Sequence, residues 1–587
     1  MKTIRELLWI LNGKQKWQLA LLFFMLLFSS FLELFGLSVL VPIVDMVAYP
    51  AQAIETNTLV KILIFVFHLP QDNYQAILIT TILFVVFVYV FKCIYALFMT
   101  AYQNRFTNQF SRQISVHLLS NYLYQPYEFH VYTNSSELFR NATGDATAFV
   151  GSITLLINTL ADVLFMLVAL IYLLFIDWML TLIVFSALGL LTFILLRLMK
   201  KKVRKYSVYS WQLNAIGIKN ISEGLSGIKE TKISNREQYF IDNYDDTKAK
   251  QASISLKTAV LTSAPRLMVE AAGMIAMLIA LLIYALNNTS SEQIVVTFAT
   301  LAIAVVKILP YLSRLNGNIN ALRWNMVSIH KVYQDLRLVS EIPVTKDGDL
   351  SDVVAPLLFN DRLVLRNVRF HYRNVEKNVL DGVYAVIPKG ESVAFCGVSG
   401  AGKTTTVDII LGLLKPQEGQ VLCDGVDICN HLREWHKDIS YVPQDIFLID
   451  DTIKENIAFG HDINKVPDEL VWAALEKAQL ADFVRTLPDG LYTKIGEKGV
   501  RLSGGQRQRI GIARALFRDT PIIVFDEATS ALDYETEAEV LKTVVGLRGD
   551  KTLIIITHRL TTIQDCDRIY EIKDSKMTLT KGSVLEE

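Results

Sequence analysis

Cysteine is scarce: five residues, Cys93, Cys396, Cys423, Cys429 and Cys566, are scattered over 587 positions. They form no CxxC pair and no metal-type spacing, which excludes a dithiol redox motif and a structural zinc site. They read as small buried hydrophobes. Charge is sparse as well. Only 20% of the chain is charged, and 58 basic residues balance 58 acidic ones. A zero net charge offers no electrostatic footprint for nucleic acid, so no nucleic-acid partner is expected. No cleavable signal is read at the start. Met1 to Lys16 instead sets Ile4, Leu7, Leu8 and Leu11 against Lys2, Arg5 and Glu6, which predicts an amphipathic helix on a membrane surface.

What the chain has in plenty is apolar residues, 52% of the total, unevenly spread. A chain this long exceeds one core, so two domains are expected: 1–345, rich in long apolar runs, and 346–587, composed like a soluble α/β domain. About 20 apolar residues cross a bilayer, and helices alone satisfy their own backbone there. Six such runs are read, at 18–44, 76–99, 149–176, 178–198, 262–286 and 294–316. Lys200, Lys201, Lys202, Arg204 and Lys205 end the fourth, which places that end in the cytoplasm, along with both chain termini. The stretch between the first two spans is a long outer loop. The polar stretches 100–148 and 200–260 keep a helical period, and are expected to carry the helices well past the membrane before they reverse near the second domain.

In the second half, Ser392 to Cys396 read as a buried strand. Gly397, Val398, Ser399, Gly400, Ala401, Gly402, Lys403, Thr404 and Thr405 follow, and an apolar helix comes next. This is a strand, GxxxxGK[ST], helix sequence, the context in which a phosphate loop is credible. Glycines let backbone amides turn toward a phosphate, Lys403 supplies a cation for the β- and γ-phosphates, and Thr404 a hydroxyl for Mg²⁺. A second buried strand, Ile522 to Phe525, ends in Asp526 and Glu527. Asp526 is placed to hold the metal, and Glu527 to polarise the attacking water.

Leu502-Ser503-Gly504-Gly505-Gln506, ahead of Arg507-Gln508-Arg509 and between the phosphate loop and the Asp-Glu strand, resembles the signature of ATP-binding cassette transporters. The resemblance implies ATP and Mg²⁺ as cofactors and gives roles to further residues. Tyr372 is similar to the aromatic that stacks on adenine. Gln444 is similar to the loop glutamine that reaches the metal and the membrane domain, and Gly496-Glu497 to a loop facing the partner subunit. Ser530 to Asp533 resemble the loop that crosses the dimer interface, and His558 the γ-phosphate-sensing histidine. It implies that Ser503, Gly504 and Gly505 contact nucleotide held by the other subunit, so a homodimer is expected, with a heterodimer as the alternative. The implied fold is an α-helical six-span transmembrane domain plus an α/β P-loop (RecA-like) nucleotide-binding domain with a helical signature subdomain.

Ionisable residues inside spans are costly and tend to be functional. They include Glu33, Lys92, Asp162, Arg266, Glu270, Lys307 and Arg314. Two readings stand open: internal salt bridges, or a cationic lining of Lys92, Arg266, Lys307 and Arg314 for an anionic headgroup. Phe31 to Ile43 of span one, Pro265-Arg266 with Glu270, and Pro310 with Arg314 resemble PglK-type lipid-linked oligosaccharide flippases, apart from Lys92, where arginine is expected. That resemblance implies an exporter of a polyprenyl-pyrophosphate-linked glycan in the inner membrane of a bacterium. A multidrug, lipid A or phospholipid exporter is the alternative. A leader-peptide exporter is disfavoured, because no peptidase-like segment precedes span one. A non-transporting ATPase or regulatory channel is disfavoured by Lys403, Glu527 and His558.

Overall fold

The computed structural model describes residues 9–48, 54, 57–70, 73–176, 178–286, 291–340, 357, 359–373, 375, 377–527, 546–557 and 566–582. The chain divides into two compact units. The first is Met1–Gln125 with Tyr132–Lys346; the second is Pro126–Val131 with Asp347–Glu587.

The first unit is helical throughout its described length. Span one is broken in two, α1 (Gly13–Ser38) and α2 (Val41–Ala48). The cause is Pro42: it has no N–H to give the Ser38 carbonyl, and its ring crowds that carbonyl. The outer stretch expected as a loop contains α3 (Thr58–Phe67), capped by the Asn57 side chain, with Val60 and Leu63 buried. Next come α4 (Tyr74–Leu123) and the short α5 (Tyr127–Tyr132), which straddles the boundary between the two units. They are followed by α6 (Ser135–Arg140), a π-helical turn at Asn141–Asp145 and α7 (Ala146–Ile176). The unit is completed by α8 (Trp178–Ser226), α9 (Ile228–Ile233), α10 (Glu237–Leu286), α11 (Ser291–Trp324) and α12 (Met326–Ser340). Among the described residues, helices within 13–36, 74–123, 135–175 and 237–279 are long and apolar enough to cross a membrane. The helices expected to continue past the spans are present as unbroken continuations: α4 runs 50 residues, α8 49 and α10 50. The amphipathic helix expected over Met1 to Lys16 falls largely on residues 1–8, outside the described residues.

The second unit holds two sheets. The smaller is antiparallel, in the order β2-β1-β4-β5, from β1 (Arg362–Phe370), β2 (Leu380–Pro388), β4 (Glu418–Cys423) and β5 (Val426–Asp427). The larger runs β10-β9-β3-β8-β7-β6. Its inner strands are β3 (Ser392–Cys396), β8 (Thr552–Ile556), β7 (Ile522–Asp526) and β6 (Ile439–Val442). They are parallel, with β9 (Arg568–Lys573) beyond β3 and the antiparallel β10 (Lys576–Lys581) at the edge. β7 and β8 are buried along their whole length, which is why their sequences are continuous apolar runs. A helical region precedes β7, and its Ile453, Leu475, Val484, Ile510 and Leu516 share one core with Val442, Phe525 and Ile555 of the larger sheet.

Candidate nucleotide site and membrane charges

Register sets the geometry of the site. Ile556 of β8 pairs with Phe395 of β3 on one side and with Asp526 of β7 on the other, so the loop after β3 and the acid at the end of β7 leave the sheet at the same level. Ligands of open α/β sheets bind at this carboxyl edge. The chain leaves β3 through Gly397, whose φ is +149°; a Cβ there would lie 2.4 Å from the Ile572 carbonyl, so only glycine fits. After Gly402, also at positive φ, helix α13 (Lys403–Ile410) begins. The Lys403 ammonium donates to the carbonyls of Gly397 at 2.9 Å and Val398 at 3.2 Å. Thr404 is exposed at the first turn, and Thr405 is buried, its hydroxyl 3.1 Å from the Tyr372 phenol. Tyr372 is thereby fixed beside the phosphate loop.

Asp526 is buried, and Tyr441 donates to it at 3.2 Å. Burial raises its carboxyl, against the lowering effect of that hydrogen bond. Glu527 leaves the strand with φ +47°, a left-handed backbone unusual for a residue with a side chain. Its N–H is anchored on the Ile556 carbonyl at 3.0 Å, and its carboxylate accepts from the Gln444 side chain at 2.9 Å. Strain of this kind clusters at functional sites. Thr404, Gln444 and Asp526 present hydroxyl, amide and carboxylate oxygens, the hard donor set that suits Mg²⁺.

Two residues near the loop carry no motif signal. Asp408 faces the buried side of α13, and burial, followed by the Asp526 charge, pushes its carboxyl up to about 6. Tyr127, in the Pro126–Val131 segment of the same unit, has its phenol raised by burial and then by Asp408 and Tyr372. A carboxylate in the apolar run Val407 to Ile410 is the one sign of Asp408 in the sequence; for Tyr127 there is none.

The signature serine is the N-cap of α18 (Gly504–Phe517). Its hydroxyl accepts from the Gln506 N–H at 3.2 Å, while the Gln506 side chain accepts from the Ser503 N–H at 2.8 Å. This reciprocal cap aims the helix N-terminus, with Gly504 and Gly505 in its first turn, at solvent. Gln506 was expected among the nucleotide contacts; in this structure its side chain is engaged in the cap. His558 and Ser530 to Asp533 lie outside the described residues.

In the first unit, three of the four cations read as a lining face carboxylates. Lys92 lies 2.6 Å from Glu33, Arg314 3.0 Å from Asp162, and Arg266 2.9 Å from Glu270. The Lys307 side chain lies outside the described residues. Two of the pairs stay open on one side, with the Arg314 side chain 57% and that of Arg266 71% exposed. Arg314 also lies over the Tyr311 ring at 4.3 Å, which in turn stacks on Phe165 at 3.9 Å.

Comparison with known proteins agrees with this geometry. The family described as "ABC transporter transmembrane region" matches residues 19–309, and the family described as "ABC transporter" matches residues 380–530. A protein of Methylobacillus flagellatus named "ATP-dependent lipid A-core flippase" is 32% identical, over 71% of this chain and 68% of its own. Its namesake in Pseudomonas fluorescens is 31% identical, over 81% of this chain and 76% of its own. A solved structure, of a bacterial Atm1-family ABC exporter with ATP bound, superposes with a TM-score of 0.77 at 22% identity, covering 98% of this chain and 96% of that one. The chain is a multi-pass, ATP-binding membrane protein and belongs to the ATP-binding cassette exporters.

Proposed function

We propose that two copies of this chain form a homodimer in a bacterial inner membrane, with both termini cytoplasmic, and flip a phosphate-bearing glycolipid from the cytoplasmic to the outer leaflet. The first reading of the cargo is a polyprenyl-pyrophosphate-linked oligosaccharide. The observation that carries an anionic cargo is the pair of half-exposed guanidiniums, Arg266 and Arg314, at membrane depth. Neutralising a charge at that depth is useful to packing, but leaving the guanidinium face open is not. An open guanidinium still offers bidentate donors to a phosphate. A second reading, lipid A-core, is favoured by the names of the relatives.

The ATP site supports the engine. Lys403 and the N-terminus of α13 would hold the β- and γ-phosphates, with Tyr372 beside the base. Thr404, Gln444 and Asp526 would hold Mg²⁺, which supplies charge neutralisation to the transferring phosphoryl group when bound. Glu527 would orient the attacking water, and His558 would sense the γ-phosphate. Ser503 and the amides of Gly504 and Gly505 would close the partner's site.

The test is reconstitution in proteoliposomes with a fluorescent polyprenyl-pyrophosphate glycan, and separately with labelled lipid A-core. ATP-dependent movement of the first and not the second supports the first reading, and the reverse result selects the second. Movement of neither, with a neutral hydrophobic dye exported instead, overturns the glycolipid proposal.

A further inference from the structure

A cavity of about 480 Å³ opens in the first unit between α8, α11 and α12. Its polar lining is basic: Arg204, Arg323, His330 and Lys331 contribute to it, and no carboxylate lines it among the described residues. The charges are unequally satisfied. Lys331 is held by Glu137 at 3.1 Å and Asp335 at 3.5 Å. Arg323 donates to the Leu196 carbonyl at 2.9 Å and faces Asn320, neither of which offsets its charge. Arg204 makes no hydrogen bond or ion pair among the described residues. Two guanidiniums in one concavity thus have no counter-charge among the described residues. The rest of the wall is Val208, Trp211, Met326 and Val327, with Ser207 and Gln334 as neutral polar members.

Depth narrows the ligand. Arg204 stands six residues past Leu198, the end of span four, and Arg323 seven past the end of span six at 316. At 1.5 Å per residue both lie about 10 Å beyond the apolar core. The headgroup layer is roughly 5–8 Å thick on each side, so long arginine side chains at this depth reach the lipid phosphates. The neighbouring Lys200, Lys201, Lys202 and Lys205 add attraction for anionic lipid without lining the cavity.

We infer that this cavity binds the phosphate of an anionic phospholipid headgroup from the cytoplasmic leaflet, with Arg204 and Arg323, at the membrane-facing end of the cavity, as its donors. This goes beyond the flippase reading, because the ligand is a resident lipid, and it is held outside the spans. A free inorganic phosphate has the same acceptor oxygens but gains nothing from the membrane depth. The bound phosphate bridges α8 to the end of α11 and α12, so occupancy steadies those helices against one another.

The test uses the full-length protein in nanodiscs of phosphatidylcholine, with or without phosphatidylglycerol, and native mass spectrometry to count the lipid retained after release. Wild type should retain phosphatidylglycerol in preference to phosphatidylcholine. Arg204→Gln should weaken that retention about fivefold, and Arg204→Gln with Arg323→Gln about 25-fold, since each basic residue near an anionic surface is worth about that much. Lys200→Gln, off the cavity, serves as the control: it removes surface attraction without a contact to the phosphate and should weaken retention less than Arg204→Gln. Basal ATP hydrolysis of Arg204→Gln, unchanged from wild type, shows that it folds; Arg204→Lys replaces it if it does not, and should weaken retention less. Inorganic pyrophosphate should fail to displace the lipid. Equal retention by wild type and the double variant, a Lys200→Gln loss as large as that of Arg204→Gln, or full displacement by pyrophosphate would each overturn the assignment.

Discussion

The Gln444 side chain donates to the Glu527 carboxylate at 2.9 Å, joining the loop after β6 to the end of β7 across the mouth of the phosphate loop. In the nucleotide-loaded site proposed above both groups would have other work, the glutamine at the metal and the carboxylate at the attacking water. On that proposal the hydrogen bond would hold Glu527 in place until nucleotide arrives. Replacing Glu527 by glutamine should leave ATP binding intact and reduce turnover by about two to four orders of magnitude, the range lost with a positioned base. Single-turnover hydrolysis measures it; near-normal turnover would remove Glu527 from the chemistry.

Asp408 gives a pH dependence with a definite sign. Its folded value of about 6 lies above its ordinary value of 3.8, so between those pH values the folded chain holds a proton that the unfolded chain has lost. Its contribution to stability is full below the ordinary value and is lost as pH rises through about 6. In nucleotide-free protein, Asp408→Asn should therefore melt above wild type at pH 7.5 and with it at pH 4. The difference should be on the order of 2–3 kcal/mol at the higher pH. Equal melting temperatures at pH 7.5 would show that the carboxyl is not strained by burial.

Composite sites predict rescue in mixtures. Lys403→Ala chains and Ser503→Arg chains are each expected to be inactive, whereas mixed dimers carry both lesions in one site and none in the other. Partial recovery of hydrolysis is expected. Ser503→Arg also removes a helix cap worth about 1 kcal/mol, so Ser503→Thr, which keeps the cap, is the folding control. Mixed dimers that form without recovering activity would refute shared sites.

The turn from α8 through α9 is expected to carry motion between ATP closure and the spans. Ile228 and Ile233 of α9 are 46% and 79% exposed, apolar side chains with little to cover them in their own unit. A cysteine pair joining residues 210–235 to the Gln444 region should block transport until it is reduced. Equal transport by the crosslinked and reduced forms would place the route elsewhere.

The in-span pairs separate two models. If Arg266 and Arg314 serve cargo, the Arg266→Ala/Arg314→Ala protein should fold and hydrolyse ATP yet flip poorly. If they serve packing, Arg314→Ala should lower the melting temperature and the further change Asp162→Asn should restore it, because a lone buried carboxylate costs more than a missing pair. Flipping, hydrolysis and melting on the single and double variants decide between them.

What was legible in the sequence and what was not divides on physical grounds. The phosphate loop and Asp526-Glu527 are local words, strand then turn, and their spacing carries the meaning. The long helices follow from composition and period. The break after Ser38 was also written locally, in Pro42, but an apolar run long enough to span hides it from a count of apolar residues. The depth of Asp408, the Gln444–Glu527 hydrogen bond and the place of Tyr127 in the nucleotide unit arise from residues far apart in the chain, which no periodicity reports. The pairing of Lys92 with Glu33 is of the same kind: both charges were visible, but which acid meets which base is decided by helix packing.

The three longest helices have a mechanical consequence. An unbroken helix of 50 residues, such as α4, is about 75 Å long. It acts as a stiff lever, and a tilt of about 5° about its midpoint moves each tip by about 3 Å, roughly the width of one hydrogen bond. Small angular changes at one set of tips are thus converted into gaps at the opposite tips wide enough to admit or exclude water, with no unwinding along the way. Shortening the lever by a proline in the middle of α4 would absorb that angle locally, and ATP hydrolysis would then run on with nothing moved.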